Sequence, residues 1–240
     1  MGAPQDLVCS VMGETVTFAS NGSTVGGYLA PHDLGPGPGV IVIQEWWGLV
    51  DHIKDVCDRF AAEGFTALAP DLYHGRRTSE PDEARKLMMS LDMEQAARDM
   101  TGAVDYLAPH PAVLGHAVGV VGFCLGGGLA LWLATLRPDD VKAAVPFYGM
   151  PPEAAQPDWS RLAGGAAVQG HYAENDESYP PGKVDTLQAR LKDAGAKVEM
   201  HIYPGTGHAF FNDTRGEVYH EDAAHLAWVR TLDFLRQHLG

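Results

Sequence analysis

The sequence predicts an α/β fold, with a mostly parallel, twisted sheet of about seven to eight strands and helices on both faces. From about residue 40 onward, short apolar runs alternate with segments of helical spacing, a pattern typical of βα units. Before them, two strand-like segments flank Asn21-Gly22, a dipeptide that favours a tight hairpin turn. The 240 residues, 45% apolar and 20% charged, are enough for a sizeable core. We therefore expect a single α/β domain over residues 1–240.

The first half of the chain begins with the hairpin and enters the parallel sheet. Glu14–Ala19 and Ser23–Ala30 are predicted to pair as antiparallel strands at the sheet edge. After a Gly/Pro-rich turn, Val40–Ile43 has the apolar run of a buried strand, and Val50–Glu63 has the spacing of the helix that follows it. Thr66–Ala69 predicts the next short strand. A long polar excursion then extends to about residue 92, and we expect it to form a flap.

The second half repeats the alternation of apolar strands and amphipathic helices. The predicted strands are Ala117–Val121, Val141–Phe147, Ala166–Gln169 and Val198–Tyr203. The predicted helices are Asp92–Leu107, Leu125–Leu136, Lys183–Ala194 and Glu217–His238.

Charge and composition exclude several classes of function. A formal net charge of −14 argues against nucleic acid, which needs clustered Lys and Arg. No stretch approaches the roughly 18 apolar residues that span a bilayer, and the first residues do not resemble a signal peptide. Cys9, Cys57 and Cys124 form no C-x-x-C pair, which suits free thiols in the cytoplasm. We expect no metal, and without a phosphate-binding fingerprint we expect no cofactor.

A cysteine occupies the position of a nucleophile at a sharp strand-to-helix turn. Cys124 lies in Gly122-Phe123-Cys124-Leu125-Gly126, directly after the predicted strand Ala117–Val121. This is the G-x-S-x-G pattern of the α/β-hydrolase fold with sulfur in place of oxygen. The position at a helix N-terminus also favours a thiolate, because the helix dipole stabilises negative charge there. The sequence therefore predicts a nucleophilic thiolate that attacks acyl carbons.

An acid and a base follow in the chain order that this fold uses. Asp176 follows one predicted strand, and His208 follows the next. Both loops lie at the carboxyl ends of parallel strands, where such sheets place their ligands. His208 is expected to take the thiol proton and to return it to the leaving oxygen, while Asp176 orients the imidazole. Glu174 remains open as an alternative acid because it lies two residues before Asp176.

An oxyanion at the attacked carbon needs two backbone donors. Leu125, the residue after the nucleophile, supplies the first, and Trp46, in the loop after the Val40–Ile43 strand, is the candidate for the second. Glu45 stands next to that donor, where a charge is unusual for a plain esterase.

These features together resemble the dienelactone hydrolase family over about residues 14 to 236. The motifs that carry the resemblance are Gln44-Glu45 before an aromatic residue and Gly48, Ala69-Pro70-Asp71-Leu72-Tyr73, Gly122-Phe123-Cys124-Leu125-Gly126-Gly127, the Asp176 loop and Gly207-His208-Ala209-Phe210. The resemblance implies a cofactor-free Cys-His-Asp hydrolase that acts on enol lactones such as dienelactone in the breakdown of chlorinated aromatics. It also implies that Glu45 hydrogen-bonds the resting thiol until substrate displaces it.

One departure from the family bears on the substrate. Family members that act on dienelactone hold its carboxylate with arginines, one of them four residues after the catalytic His, where this chain has Asn212. Another family Arg lies in the excursion after the Thr66–Ala69 strand, and Arg85 is the candidate here, with Arg76 and Arg77 nearby. A second possibility is an apolar, aromatic acyl pocket. Its candidate residues are Trp46, Trp47 and Tyr148.

Three functional hypotheses remain open. The first is a hydrolase of a lactone or small ester that forms a thioester on Cys124. The second is a broad carboxylesterase or thioesterase with the same triad and no preference for diacids. The third is a redox-sensing or binding protein in which Cys124 is oxidised instead of acylated. The expected partner is a small-molecule ester or lactone, and the expected assembly is a monomer or a small homo-oligomer.

Overall fold

The computed structural model describes residues 12–240 of the chain. Cys9 and the N-terminal residues, which were not expected to form a signal peptide, lie outside the described residues. The described strands are β1 (Glu14–Ser20), β2 (Ser23–Ala30), β3 (Gly37–Ile43), β4 (Thr66–Pro70), β5 (Val113–Phe123), β6 (Val141–Phe147), β7 (Ala167–Ala173) and β8 (Val198–Tyr203). The described helices are α1 (Asp51–Ala62), α2 (Pro81–Met89), α3 (Met93–Leu107), α4 (Leu125–Leu136), α5 (Pro181–Asp193) and α6 (Glu221–Leu239).

These strands form one sheet in the order β1-β2-β4-β3-β5-β6-β7-β8. From β4 to β8 all neighbouring strands are parallel, whereas β2 is antiparallel to both β1 and β4. Asn21 and Gly22 join β1 to β2 with φ angles of 38° and 94°, the positive values that a tight hairpin turn needs. The predicted mostly parallel sheet with an antiparallel N-terminal hairpin is confirmed.

Helices cover both faces of the sheet, as the sequence predicts. Apolar residues of α3, α4 and α5 pack on one face and those of α1 and α6 on the other. In β3, Ile41 and Ile43 face the first group while Val40 and Val42 face the second, the alternation of a strand buried on both sides. No helix within residues 12–240 combines the length and the apolar character that crossing a membrane requires.

The structure differs from the sequence prediction mainly at element ends and in the excursion after β4. β5 begins at Val113, earlier than predicted, because this residue pairs with Gly37 of β3. α6 begins at Glu221, later than predicted, because the His220 side chain accepts a hydrogen bond from the Ala223 N–H and caps the helix. The excursion contains α2, which has a proline in its first turn.

Candidate active site

The nucleophile turn holds Cys124 in a backbone conformation that few L-residues adopt. Its φ and ψ are 54° and −115°, between the end of β5 and the start of α4. A Cβ on Gly122 would lie 2.0 Å from the Gly126 carbonyl oxygen, and a Cβ on Gly126 would lie 2.4 Å from that of Ile43. Both positions therefore need glycine, and the strained turn presents a half-buried thiol at the carboxyl edge of the sheet.

The structure brings Asp176 and His208 together. His208 Nδ1 lies 2.6 Å from Asp176 Oδ2, and the other carboxylate oxygen accepts hydrogen bonds from the Ser178 and Tyr179 N–H groups at 2.9 and 3.1 Å. Asp176 is buried. Glu174 is exposed instead, and its carboxylate accepts a 2.8 Å hydrogen bond from the Gly205 N–H. The acid that contacts the histidine is therefore Asp176.

The electrostatics of this cluster favour a protonated histidine. Burial works against the imidazolium, but hydrogen bonds to Asp176 and Cys124 and the charges of these two groups outweigh it and raise the pKa of His208 to about 10. Burial also opposes the charged form of Asp176, and the hydrogen bond and charge of His208 still bring its pKa below the ordinary value. A cation between two potential anions is the arrangement of a thiolate–imidazolium pair.

The two predicted oxyanion donors lie on neighbouring segments. Leu125 opens α4, so its N–H has no acceptor within the helix. Gly126, in the same helical turn, packs against the carbonyl groups of Ile43 and Gln44, which lie three and two residues before Trp46. The Gln44 side chain fixes this loop by accepting a 3.2 Å hydrogen bond from the Leu72 N–H. Within residues 12–240, the N–H groups of Leu125 and Trp46 donate to no other protein group.

A cavity of about 810 Å³ opens from Cys124. Its apolar lining comes from four parts of the chain: Met88 and Met93, Leu125, Leu129 and Trp132 of α4, Met150, Pro151, Pro152 and Pro157 after β6, and Tyr179 and Leu187. The aromatic side chains here are thus Trp132 and Tyr179, whereas Trp46, Trp47 and Tyr148 do not line this cavity. Sequence reasoning missed Trp132, although its spacing from Leu125 and Leu129 places all three on one helical face.

Comparison with known proteins identifies the family of this chain. The family model described as "Dienelactone hydrolase family" matches residues 25–239. This chain belongs to the dienelactone hydrolase family. "Protein usf" of Aquifex pyrophilus is 39% identical over 234 residues, covering 95% of this chain and 100% of that protein. The Aquifex aeolicus protein named "Putative carboxymethylenebutenolidase" is 35% identical, with coverage of 95% and 100%.

Solved structures of this family have the same fold. The crystal structure named "Putative Dienelactone Hydrolase" from Klebsiella pneumoniae superposes with a TM-score of 0.82 at 32% identity, covering 94% of this chain and 98% of that one. The metagenomic dienelactone hydrolase-like phosphotriesterase P91 has a TM-score of 0.84 at 23% identity, with coverage of 95% and 98%. The chain is therefore an enzyme of the hydrolase class with the α/β-hydrolase fold.

Within this family framework, Glu45 has partners that the resemblance did not imply. Its carboxylate is 1% exposed and accepts hydrogen bonds from Asn212 Nδ2 at 2.9 Å and from the Tyr148 hydroxyl at 3.4 Å. Burial and the nearby charge of Glu45 raise the pKa of Tyr148 well above its ordinary value, so this hydroxyl stays a donor. Among the described residues, neither Glu45 oxygen is hydrogen-bonded to Cys124, in contrast to the implied resting contact.

The arginines suggested by the family do not line the cavity. Arg85 is exposed on α2, and the same helix directs Met88 to the cavity instead. Arg76 and Arg77 are likewise exposed outside it. Arg85 lies one turn before Met88 on α2, but only Met88 is part of the cavity lining.

Proposed function

We propose that this chain hydrolyses carboxylic esters, lactones among them, through a Cys124–His208–Asp176 triad and a thioester intermediate. The observation that carries the proposal is the 2.6 Å contact between His208 and buried Asp176, with Cys124 held on the strained turn beside them. A nucleophile, a base and a group that orients the base are the three components of covalent acyl transfer.

Acylation begins from the thiolate–imidazolium pair. The Cys124 thiolate attacks the carbonyl carbon, and the negative charge that develops on the carbonyl oxygen is stabilised by the N–H groups of Leu125 and Trp46. The intermediate collapses when the C–O bond to the leaving oxygen breaks and His208 donates its proton to that oxygen. The products of this step are an alcohol or enol and an acyl thioester on Cys124. In a lactone, both remain in one molecule.

Deacylation uses the histidine that acylation has left neutral. His208 takes a proton from a water molecule, and the resulting hydroxide attacks the thioester carbon. The same two N–H groups stabilise the second oxyanion. Collapse expels the Cys124 thiolate and releases the carboxylic acid, while the proton on His208 restores the ion pair. Asp176 stabilises the imidazolium throughout and holds its Nδ1–H, so that Nε2 is left for the exchange of protons.

The first candidate substrate class is an enol lactone or a small carboxylic ester. The name carboxymethylenebutenolidase of the 35% identical relative supports a lactone. A broader carboxylesterase or thioesterase activity is the second candidate, and one observation favours it. Asn212 stands where the resemblance expects an anion-binding arginine, and its amide is committed to Glu45. This position therefore offers no cation to a substrate carboxylate.

The test compares steady-state hydrolysis of 4-nitrophenyl acetate and dienelactone by the purified enzyme and its variants. Cys124→Ala and His208→Ala should each lower kcat/KM by about three orders of magnitude or more. Cys57→Ala is the matched control, because Cys57 is a buried thiol in α1 outside the site. It should remain active. Activity that survives Cys124→Ala would reject the proposed nucleophile.

A further inference from the structure

We propose that the cavity at Cys124 takes a large, apolar and uncharged acyl group, so that the preferred substrates are neutral esters of medium to long carboxylic acids. This inference rests on the proposed function and names its substrate class. A volume of about 810 Å³ equals that of about 27 water molecules at liquid density. A small lactone fills only a fraction of this space, so most of the apolar cavity wall would remain in contact with water.

The cavity walls are mainly apolar. Trp132 and Leu129 come from α4, Leu187 comes from α5, and the residues after β6 add three prolines. Met88, Met93 and Met150 contribute flexible thioether side chains. Methionines adapt to ligands of different shape, so such walls suit alkyl chains better than one rigid ring.

The charged side chains of the described lining are already partnered within the protein. Arg190 forms a bidentate ion pair with Glu153, with N–O distances of 2.7 and 2.9 Å. Lys183 Nζ donates a 3.0 Å hydrogen bond to the Ser178 carbonyl group. An anionic substrate would have to compete with Glu153 for Arg190, whereas a neutral chain leaves this ion pair intact.

The position of the triad indicates which part of the ester enters the cavity. Cys124 and Leu125 line it, whereas His208 does not. The leaving oxygen must face His208 to receive its proton. The acyl group stays bonded to the Cys124 sulfur throughout the thioester stage. The acyl chain is therefore the part that lies along α4 in the cavity.

The experiment measures kcat/KM for 4-nitrophenyl esters from acetate to decanoate. Each buried methylene contributes about 0.8 kcal/mol, so kcat/KM should rise about fourfold per added carbon until the chain reaches the end of the cavity. Met88→Asp places a charge on the lining and should lower kcat/KM for octanoate about tenfold or more, a larger loss than for acetate. Met89→Asp is the matched control, since Met89 is 78% exposed on the same helix. It should leave both substrates unchanged.

Two results would overturn the inference. One is a flat dependence on chain length, and the other is a higher kcat/KM for the monoester of succinate or glutarate than for the neutral ester of equal length. The second result would assign Lys183 or Arg190 to a substrate carboxylate. Either result can accompany normal hydrolysis of the acetate ester, which leaves the proposed triad standing. Failure of the triad itself appears separately, as acetate hydrolysis that survives Cys124→Ala.

Discussion

Asn212 donates a hydrogen bond of 2.9 Å from its Nδ2 to Oε2 of Glu45, a carboxylate that is 1% exposed. The amide is itself held, because its oxygen accepts hydrogen bonds from the Thr214 N–H and hydroxyl at 3.1 and 2.6 Å. Glu45 is thereby committed to Asn212 and Tyr148. A carboxylate released from these partners next to Cys124 would disfavour the thiolate.

The first prediction concerns this restraint on Glu45. Asn212→Ala should slow alkylation of Cys124 by iodoacetamide at neutral pH about tenfold, because the freed carboxylate can approach the thiolate. The double variant Glu45→Gln, Asn212→Ala should recover most of the rate, since it removes the charge that causes the loss. Equal rates in wild type and Asn212→Ala would mean that Glu45 has no influence on the thiol. The measured quantity is the second-order rate constant of alkylation, obtained by mass spectrometry of the alkylated protein over time.

The second prediction separates the two acidic residues of the loop after β7. Asp176→Asn should lower kcat by about three to four orders of magnitude, because the amide no longer stabilises the imidazolium or fixes its tautomer. Glu174→Gln should stay within about twofold of wild type, since Glu174 is exposed and contacts Gly205. Steady-state kinetics of both variants checks the order of the two effects. The reverse order would assign the acid to Glu174.

The third prediction concerns pH. The pKa of His208 is raised to about 10, so its imidazolium is present below that pH and is lost above it. With an ethyl ester, whose leaving oxygen needs a proton, kcat/KM should fall as pH rises through about 10. Asp176→Asn should move this fall to lower pH by about one to two units. A 4-nitrophenyl ester is the control, because nitrophenolate leaves without a proton. An ethyl ester profile that does not shift in Asp176→Asn would contradict the assignment.

The fourth prediction concerns stability and the excursion after β4. Asp99 of α3 is fully buried, accepts hydrogen bonds from Ser20 Oγ at 2.5 Å and Gln95 Nε2 at 2.7 Å, and lies 2.9 Å from His74 Nε2. Asp99→Ala should lower the free energy of unfolding by about 2 kcal/mol, because it leaves the buried Ser20 hydroxyl and the half-buried Gln95 amide without this acceptor. Chemical denaturation measures the change. Asp193→Ala, an exposed change in α5, should cost less than about 0.5 kcal/mol. Equal losses in the two variants would show that the Asp99 cluster contributes nothing to stability.

Local sequence patterns predicted most of the fold. The bounds of α4, β6 and β8 agree with prediction. α4 and β6 are mainly apolar, and β8 alternates apolar and polar residues until Pro204, which cannot extend the strand. The turn residues Asn21 and Gly22 likewise determined the hairpin. α2 was not predicted as a helix, because it is short and nearly all exposed, with Ala84 its one buried residue. A weak apolar stripe gives little periodicity to detect.

The residues of the candidate site could be proposed from the sequence, but most of their contacts could not. Cys124, Asp176 and His208 follow from the turn motif and from their order after successive strands. The choice between Asp176 and Glu174 depended on loop geometry, since both residue types suit the role. The partners of Glu45 and the cavity lining join segments far apart in the chain, and one sequence carries no record of such contacts. Met88 and Leu187, for example, are far apart in the chain and line the same cavity only in the folded state.

The central claim is that Cys124 carries the acyl group, and rapid acid quench followed by peptide mass mapping tests it most directly. During the first turnover of 4-nitrophenyl acetate, the peptide that contains Cys124 should gain the mass of one acetyl group, in proportion to the burst of nitrophenolate. Hydroxylamine should remove this group, as it does from a thioester, and Cys124→Ala should show neither the adduct nor the burst. A nitrophenolate burst without acetylation of Cys124, or with the acetyl group on another residue, would contradict the account.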